Sequence, residues 1–505
     1  MSRPSGSVVA LFTALMLAAG AAPLPATAAA EGDARLAREF GERFFDRFWQ
    51  LNPEAAISSG YYKVADRLIV PDAASRKRER EQLEQWLVQL RRIDPRSLSP
   101  NARADWVLLE NEFVSSIWGI DEYRAWEWNP AVYNVAEPFA VLLGTQYAPV
   151  EQRLRTVTRR LQNVPAFYGA ARANIRTPTR EHTRLAIEQN RGALSVFGPE
   201  LDRQIADSGL SASERELLTR RVAAARTAIE NYIGWLGELQ ERLADGSAPS
   251  RSFRVGPATY EKRFEYNIQS GDTARALYES ALAEKERLLA RMSLLSDLLW
   301  PKYFPNAPSP DDRFDKIGRL IGKLSEQHVA REDFFAEIQR QIPMLEKFVT
   351  GHGLLELDPS KPLQVRETPP HKRGIAGASI DAPGPYDPSQ PTYYNVTPLD
   401  DLSPERAESY LREYNRWMLP ILNIHEAIPG HYAQLVHANR SPSLIKTIFG
   451  NGAMVEGWAV YSERMMLESG FGDHSAEYWL IYSKWILRSV SNAILDYSVH
   501  VLDMS

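Results

Sequence analysis

The residues best suited to chemistry in this 505-residue chain are His425, Glu426 and His431, in the run His425-Glu426-Ala427-Ile428-Pro429-Gly430-His431, with Glu456 following 25 residues later. Two imidazoles and a carboxylate form a zinc ligand set that leaves a fourth position open. A Glu beside the first His is placed to act as general base. On a regular helix such histidines stand four residues apart, whereas here they stand six apart. Six residues turn through about 600°, which leaves the side chains roughly 120° apart. An undisturbed helix would therefore not let the pair chelate. Pro429 cannot donate to the His425 carbonyl, and its ring clashes with it. Gly430 admits backbone geometry closed to other residues. The two together predict a kink or bulge that turns His431 back onto the metal face. The plain alternative is a pair of ordinary histidines and a solvated Glu456. Against it, a Pro inside a helix costs roughly 3 kcal/mol.

The elements that must position these residues read as helices. Ser403 is an N-cap with Pro404 at the first helical position, and this helix should run to about Met418, before Pro420. The next is expected from Ile421 past His431 toward Ala438. Another should run from Ala453 to Leu467 and close at Gly470, and a last one should follow Ser475. In the helix that carries Glu456, the residues Met454, Trp458, Tyr461 and Met465 read as the core stripe. Glu456, Val460 and Glu463 fall on a different face. Gly457, beside Glu456, suggests close approach of a neighbouring helix. Upstream, 31–357 reads as a helical scaffold, as in 79–93, 214–243 and 276–295, where apolar residues recur at three and four. Between 358 and 402 the texture turns rich in Pro and Gly, and Leu363–Glu367 and Thr392–Thr397 read as short strands.

HEAIPGHYAQ followed by EGWAVYSERM resembles the bacterial proteins grouped as domain-of-unknown-function family 885, regarded as metallopeptidases of the zincin type. The resemblance is specific from about Pro369 onward, through PPH, YYNVT, HEAIPGH and EGWAVYSE. It implies a mainly α zincin-like metallopeptidase, in which a large helical scaffold carries a small β-sheet beside the active-site helices. It implies a peptide substrate, His425, His431 and Glu456 as zinc ligands, and Glu426 as the base. Zinc would lower the pKa of a water, whose proton Glu426 takes. Zincins often hold substrate as an added strand on an exposed sheet edge. Tyr393, Tyr394 and Asn395 are the candidates for that edge, and an ordinary strand is the equal alternative. Tyr497 and His500 are the candidates for an oxyanion donor.

Composition bounds the remaining classes. The net charge is −5 and the arginines are interleaved with acids, which gives no reason to expect a nucleic-acid partner. Arg3 is the only charged residue among the first 30, an apolar run follows over 8–22, and small residues at Ala26, Ala28 and Ala30 fit a cleavage site. This predicts a signal peptide over 1–30 and a periplasmic or secreted product. The sequence has no cysteine, so neither disulfides nor a lipid-modified cysteine are expected, and no stable membrane anchor. After Ser475 the helical pattern carries no stop signal, which predicts that further helices follow in the complete protein. Two other functional readings stay open: a catalytically impaired helical protein that binds peptides, and a metal-dependent hydrolase of non-peptide amides.

Overall fold

The structure, a computed structural model, describes residues 26–369, 377–400 and 402–504. The expected signal-peptide run at 8–22 lies outside the described residues, as do Pro370 and His371 of the PPH motif. The described chain is mainly helical with one small sheet. Its buried apolar residues gather into three clusters. One joins the helices of residues 36–113 to Ile445. A second lies within 57–243. The third lies within 292–482 and surrounds the site helices.

Local rules account for the scaffold. Helix α1, Ala212–Asp245, opens with a capping box in which Ser211 and Glu214 satisfy each other's backbone N–H. Its buried residues, from Leu218 through Ile229 and Leu236 to Leu243, recur every three or four positions and form one apolar stripe. The chain turns at Gly246, whose φ of +79° is a left-handed conformation suited to glycine. Helix α2, Pro257–Ile268, has no buried residue and bridges to the C-terminal helices. Helix α3, Ala274–Tyr303, and α4, Phe334–Gly351, then line the third core.

The sheet holds three strands: β1 Leu363–Glu367, β2 Ala378–Asp381 and β3 Thr392–Val396. Their order is β1-β3-β2, with β1 parallel and β2 antiparallel to β3. The β1 strand and the start of β3 match the expected spans. The exposed edge expected at Tyr393–Asn395 does not exist, because β3 is the central strand and both its sides are paired. A third strand, at 378–381, was hidden in the Gly- and Pro-rich stretch.

The C-terminal helices are shorter and more numerous than their periodicity suggests. Helix α5, Pro404–Glu413, is capped by Ser403 as expected. It ends before Met418 because the Asn415 side chain accepts from the backbone of Trp417 and Met418 and so opens a new helix. That helix is α6, Met418–Glu426, and Pro420 sits in its first turn, where a missing N–H is harmless. The single kinked helix expected from Ile421 toward Ala438 is in fact two. Helix α6 stops at Glu426, and α7 spans His431–Ala438. Helix α8, Gly452–Glu468, and α9, Ala476–Val501, complete the group.

The expected core stripe of α8 is overturned at Met454 and Tyr461, while Trp458 and Met465 are partly buried. Met454 and Tyr461 are 56% and 57% exposed, while Ala459, Ser462, Glu463, Met466 and Leu467 are buried. Gly457 faces open space, so it mediates no close approach. The face toward α6 holds polar groups because those groups bond to α6 and to the turn after it. Apolar identity was therefore a poor guide to this face.

Candidate metal centre

Helix α6 is buried on every side from Met418 to Ile424, so it is fixed by what it touches. Its buried polar residue Asn423 accepts a hydrogen bond from the Tyr394 hydroxyl at 2.7 Å and donates to Gln341 Oε1 at 2.7 Å. Strand β3, α6 and α4 are thereby tied through one satisfied buried network. This gives Tyr394 its place. It is fully buried and holds the site helix from behind. Asn395 is likewise buried, bonded to Arg366 at 2.7 Å and Ser379 at 3.3 Å. The Tyr393 ring lies 3.6 Å beneath the Arg366 guanidinium.

The turn after α6 solves the six-residue spacing. Gly430 N–H donates to the Ile424 carbonyl at 2.9 Å and Ala433 N–H to the Ala427 carbonyl at 3.4 Å, each reaching back six residues instead of four. The Ile428–Pro429 peptide is cis. The Pro429 carbonyl is held by Trp458 Nε1 at 2.8 Å and Ser462 Oγ at 3.5 Å, both from α8. A Cβ on Gly430 would lie 1.8 Å from the His425 carbonyl oxygen, so only glycine fits. The result is that His425 lies in the last turn of one helix, His431 begins the next, and their ring centroids stand 4.8 Å apart at 87°.

Glu456 reaches the pair from α8. Its Oε2 stands 3.7 Å from His425 Nε2 and 3.6 Å from His431 Nε2. These separations are too long for good hydrogen bonds. They resemble the spacing of ligands around zinc, about 3.3–3.4 Å between corners of a tetrahedron with bonds of about 2.0–2.1 Å. Among the described residues, His425, His431 and Glu456 are the group whose donor atoms lie close enough to hold a metal ion, all within 4.8 Å of one another. Glu456 is 68% exposed, whereas each histidine is 12% exposed. The Glu426 side chain makes no hydrogen bond among the described residues.

Two further residues complete the arrangement. Glu463, fully buried, accepts from His425 Nδ1 at 2.7 Å and from Trp485 Nε1 at 2.9 Å. A carboxylate can only accept, so the His425 proton sits on Nδ1 and Nε2 is left free toward Glu456. Among the described residues, the second Glu463 oxygen is buried without a hydrogen-bond partner. The sequence held a signal for this residue. Glu463 follows Glu456 by seven positions, two turns, and so shares its side of α8. Trp485, on α9, carried no such signal.

The site's electrostatics follow from burial and crowding of like charge. Burial lifts Glu426 to about 7, with Glu456 adding to the rise and His425 opposing it. Burial opposes protonation of His425, yet the bond and charge of Glu463 outweigh it and the pKa is raised. Burial and then the neighbouring His425 lower His431. Burial raises Glu463 against the opposing His425. Three carboxylates around two imidazoles form an acidic cluster that favours a cation.

Tyr497 and His500 are not brought to this cluster. They lie 12 and 15 residues beyond Trp485 on α9, about 18 and 22 Å along the axis. Tyr497 stacks on Tyr278 at 4.6 Å, and His500 packs against Phe253 and Tyr260, each at 5.9 Å.

Residues 53–505 match a family model described as "Bacterial protein of unknown function (DUF885)". No curated protein matches the chain. A solved structure from Shewanella oneidensis, described as a "putative lipoprotein of unknown function", is 49% identical, with a TM-score of 0.81 over 94% of this chain and 84% of that one. A second, described as the "putative lipoprotein from Colwellia psychrerythraea", has 15% identity and a TM-score of 0.71 over 94% of this chain and 83% of that one, a likeness of fold.

Proposed function

We propose that this chain, which belongs to the bacterial DUF885 family of unknown function, is a zinc-dependent peptidase of the zincin type. The observation that carries the reading is the convergence of His425, His431 and Glu456 from three helices, with Glu426 beside them. The donor set suits zinc: two imidazole nitrogens, one carboxylate, and a fourth direction left open. The orphaned oxygen of buried Glu463 adds negative charge behind it.

Zinc bound there would supply Lewis acidity toward a water and toward the substrate carbonyl. The rest falls to the chain's own residues. Glu463 holds His425 in the tautomer that presents Nε2. Trp458 and Ser462 hold the Pro429 carbonyl, and through it the start of α7 with His431. Glu426 takes a proton from the attacking water as its oxygen bonds to the carbonyl carbon. It returns that proton to the leaving nitrogen as the C–N bond breaks. An envelope or extracellular location belongs to the same proposal. It is supported by the apolar N-terminal run and by the description of the Shewanella protein. Among the described residues, no helix is long and apolar enough to cross a membrane.

The test combines metal analysis with a peptide-library digest of the purified chain. His425→Ala, His431→Ala and Glu456→Ala should each bring zinc well below one per chain. Glu426→Gln should keep the metal and lose about 10²–10⁴-fold in rate. A wild-type chain that is full of zinc and cuts no peptide would sink the peptidase reading. Full zinc in Glu456→Ala would remove that residue from the ligand set.

A further inference from the structure

Past Trp485 one side of α9 remains open. Arg488, Ser489, Asn492 and Asp496 follow at three, four, seven and eleven residues, so they share the Trp485 side of the helix, and all four are exposed. The stripe begins at the metal candidates, since the Trp485 ring stands 6.4 Å from His425 and its Nε1 bonds to Glu463. Arg488 is the first residue of the stripe beyond that ring. Its guanidinium lies 5.1 Å over the Trp485 ring. On another flank it neighbours Tyr414. Burial raises that phenol, and the charge and hydrogen bond of Arg488 oppose the rise. One turn back, Lys484 is paired with Glu413 at 2.5 Å. Among the described residues no carboxylate pairs with Arg488.

A guanidinium stacked on an indole and bonded to a phenol is held in place, and with five N–H donors it keeps others for a carboxylate. The Trp485 ring touches both residues, 5.1 Å from the Arg488 guanidinium and 6.4 Å from the His425 ring, which bounds the distance between Arg488 and His425. An extended peptide covers about 3.3–3.6 Å per residue, so one or two residues, together with the reach from guanidinium to carboxylate and from the imidazole to the reacting carbonyl, bridge that interval. We propose that Arg488 binds the C-terminal carboxylate of the substrate, so that the site releases one or two residues from the carboxyl end of peptides. This rests on the hydrolase reading above and assigns its substrate class.

The experiment uses the full chain loaded with zinc and matched peptides ending in a free carboxylate or a carboxamide. The expected result is a kcat/KM advantage of about 10–100-fold for the free acid, the usual weight of hydrogen bonds to a charged group, expressed mainly in KM. Arg488→Ala should lower the free acid to the level of the amide, and Arg488→Lys should recover part of the difference. Equal cleavage of both peptides by the wild type would overturn the proposal, as would an equal loss for both in Arg488→Ala. A calorimetric titration of zinc-loaded Glu426→Gln with the same peptides needs no turnover. A preference for the acid there, abolished by adding Arg488→Ala, supports the carboxylate site even if the wild type cleaves nothing, in which case the hydrolase reading alone fails. Equal binding of acid and amide overturns the carboxylate site.

Discussion

Gly430→Ala should disable the centre without touching a ligand. The added Cβ would stand 1.8 Å from the His425 carbonyl oxygen and 2.3 Å from that of Ile424, where ordinary contact begins at 3.4 Å. The overlap of about 1.6 Å falls on backbone atoms at the end of a helix buried all round, which have no room to retreat. The turn must therefore open. Opening it gives up the Gly430–Ile424 and Ala433–Ala427 bonds and the Trp458 bond to Pro429. At about 0.5–1.5 kcal/mol net for each, the loss is about 3 kcal/mol. That is a large fraction of a typical folding stability of about 5–15 kcal/mol. It also withdraws His431, leaving two donors of three. Urea unfolding and zinc content measure the two consequences. Gly457→Ala is the matched control, because nothing lies within 4 Å of a Cβ there. In that helix interior an alanine should stabilise by about 0.5–1 kcal/mol and leave zinc unchanged. If Gly430→Ala unfolds at the wild-type midpoint with full zinc, the turn is not what positions His431.

Two more outcomes are expected. Glu463→Gln replaces the charge behind His425 and leaves a buried amide N–H facing no acceptor, so zinc affinity should fall about 10–100-fold in a chelator competition. Undiminished affinity would show that Glu463 does not orient His425. Glu112 has its pKa raised by burial, with Ser116 opposing. A carboxyl whose folded pKa exceeds its unfolded value binds more protons when folded, so stability falls as pH rises above about 4.5. Glu112→Gln should therefore raise the Tm at pH 8 and change it little at pH 4. An equal change at both pH values would contradict the assignment.

What could be read from the sequence was what depends on neighbours along the chain. The Ser403 cap, the bounds of β1 and the end of α8 near Gly470 follow from local rules. So does the nomination of His425, His431 and Glu456, whose side chains the structure brings together. What escaped depends on contacts between distant segments. Strand order decides whether Tyr393–Asn395 is an edge, and the alternation of TYYNV is silent on its neighbours. Pro429-Gly430 signalled a disturbance, but not that the helix would stop and restart. The spacing from Glu456 put Glu463 on the right side of α8, but its burial depends on Trp485 and His425. Conversely, Met454 and Tyr461 look like core by type, yet they stand exposed among the described residues.

The unequal exposure of the three candidate ligands bears on exchange kinetics. His425 is fixed by Glu463 and His431 by the turn at Gly430, while Glu456 stands 68% exposed on a side chain free to swing. On the metal-site reading, an arriving cation meets Glu456 first and is then drawn onto the imidazoles. Departure runs in reverse, beginning with the one ligand that can move. Residence time is then governed by a single mobile carboxylate and selectivity by two immobile rings. The two properties have separate structural determinants, and either can be altered without rebuilding the other.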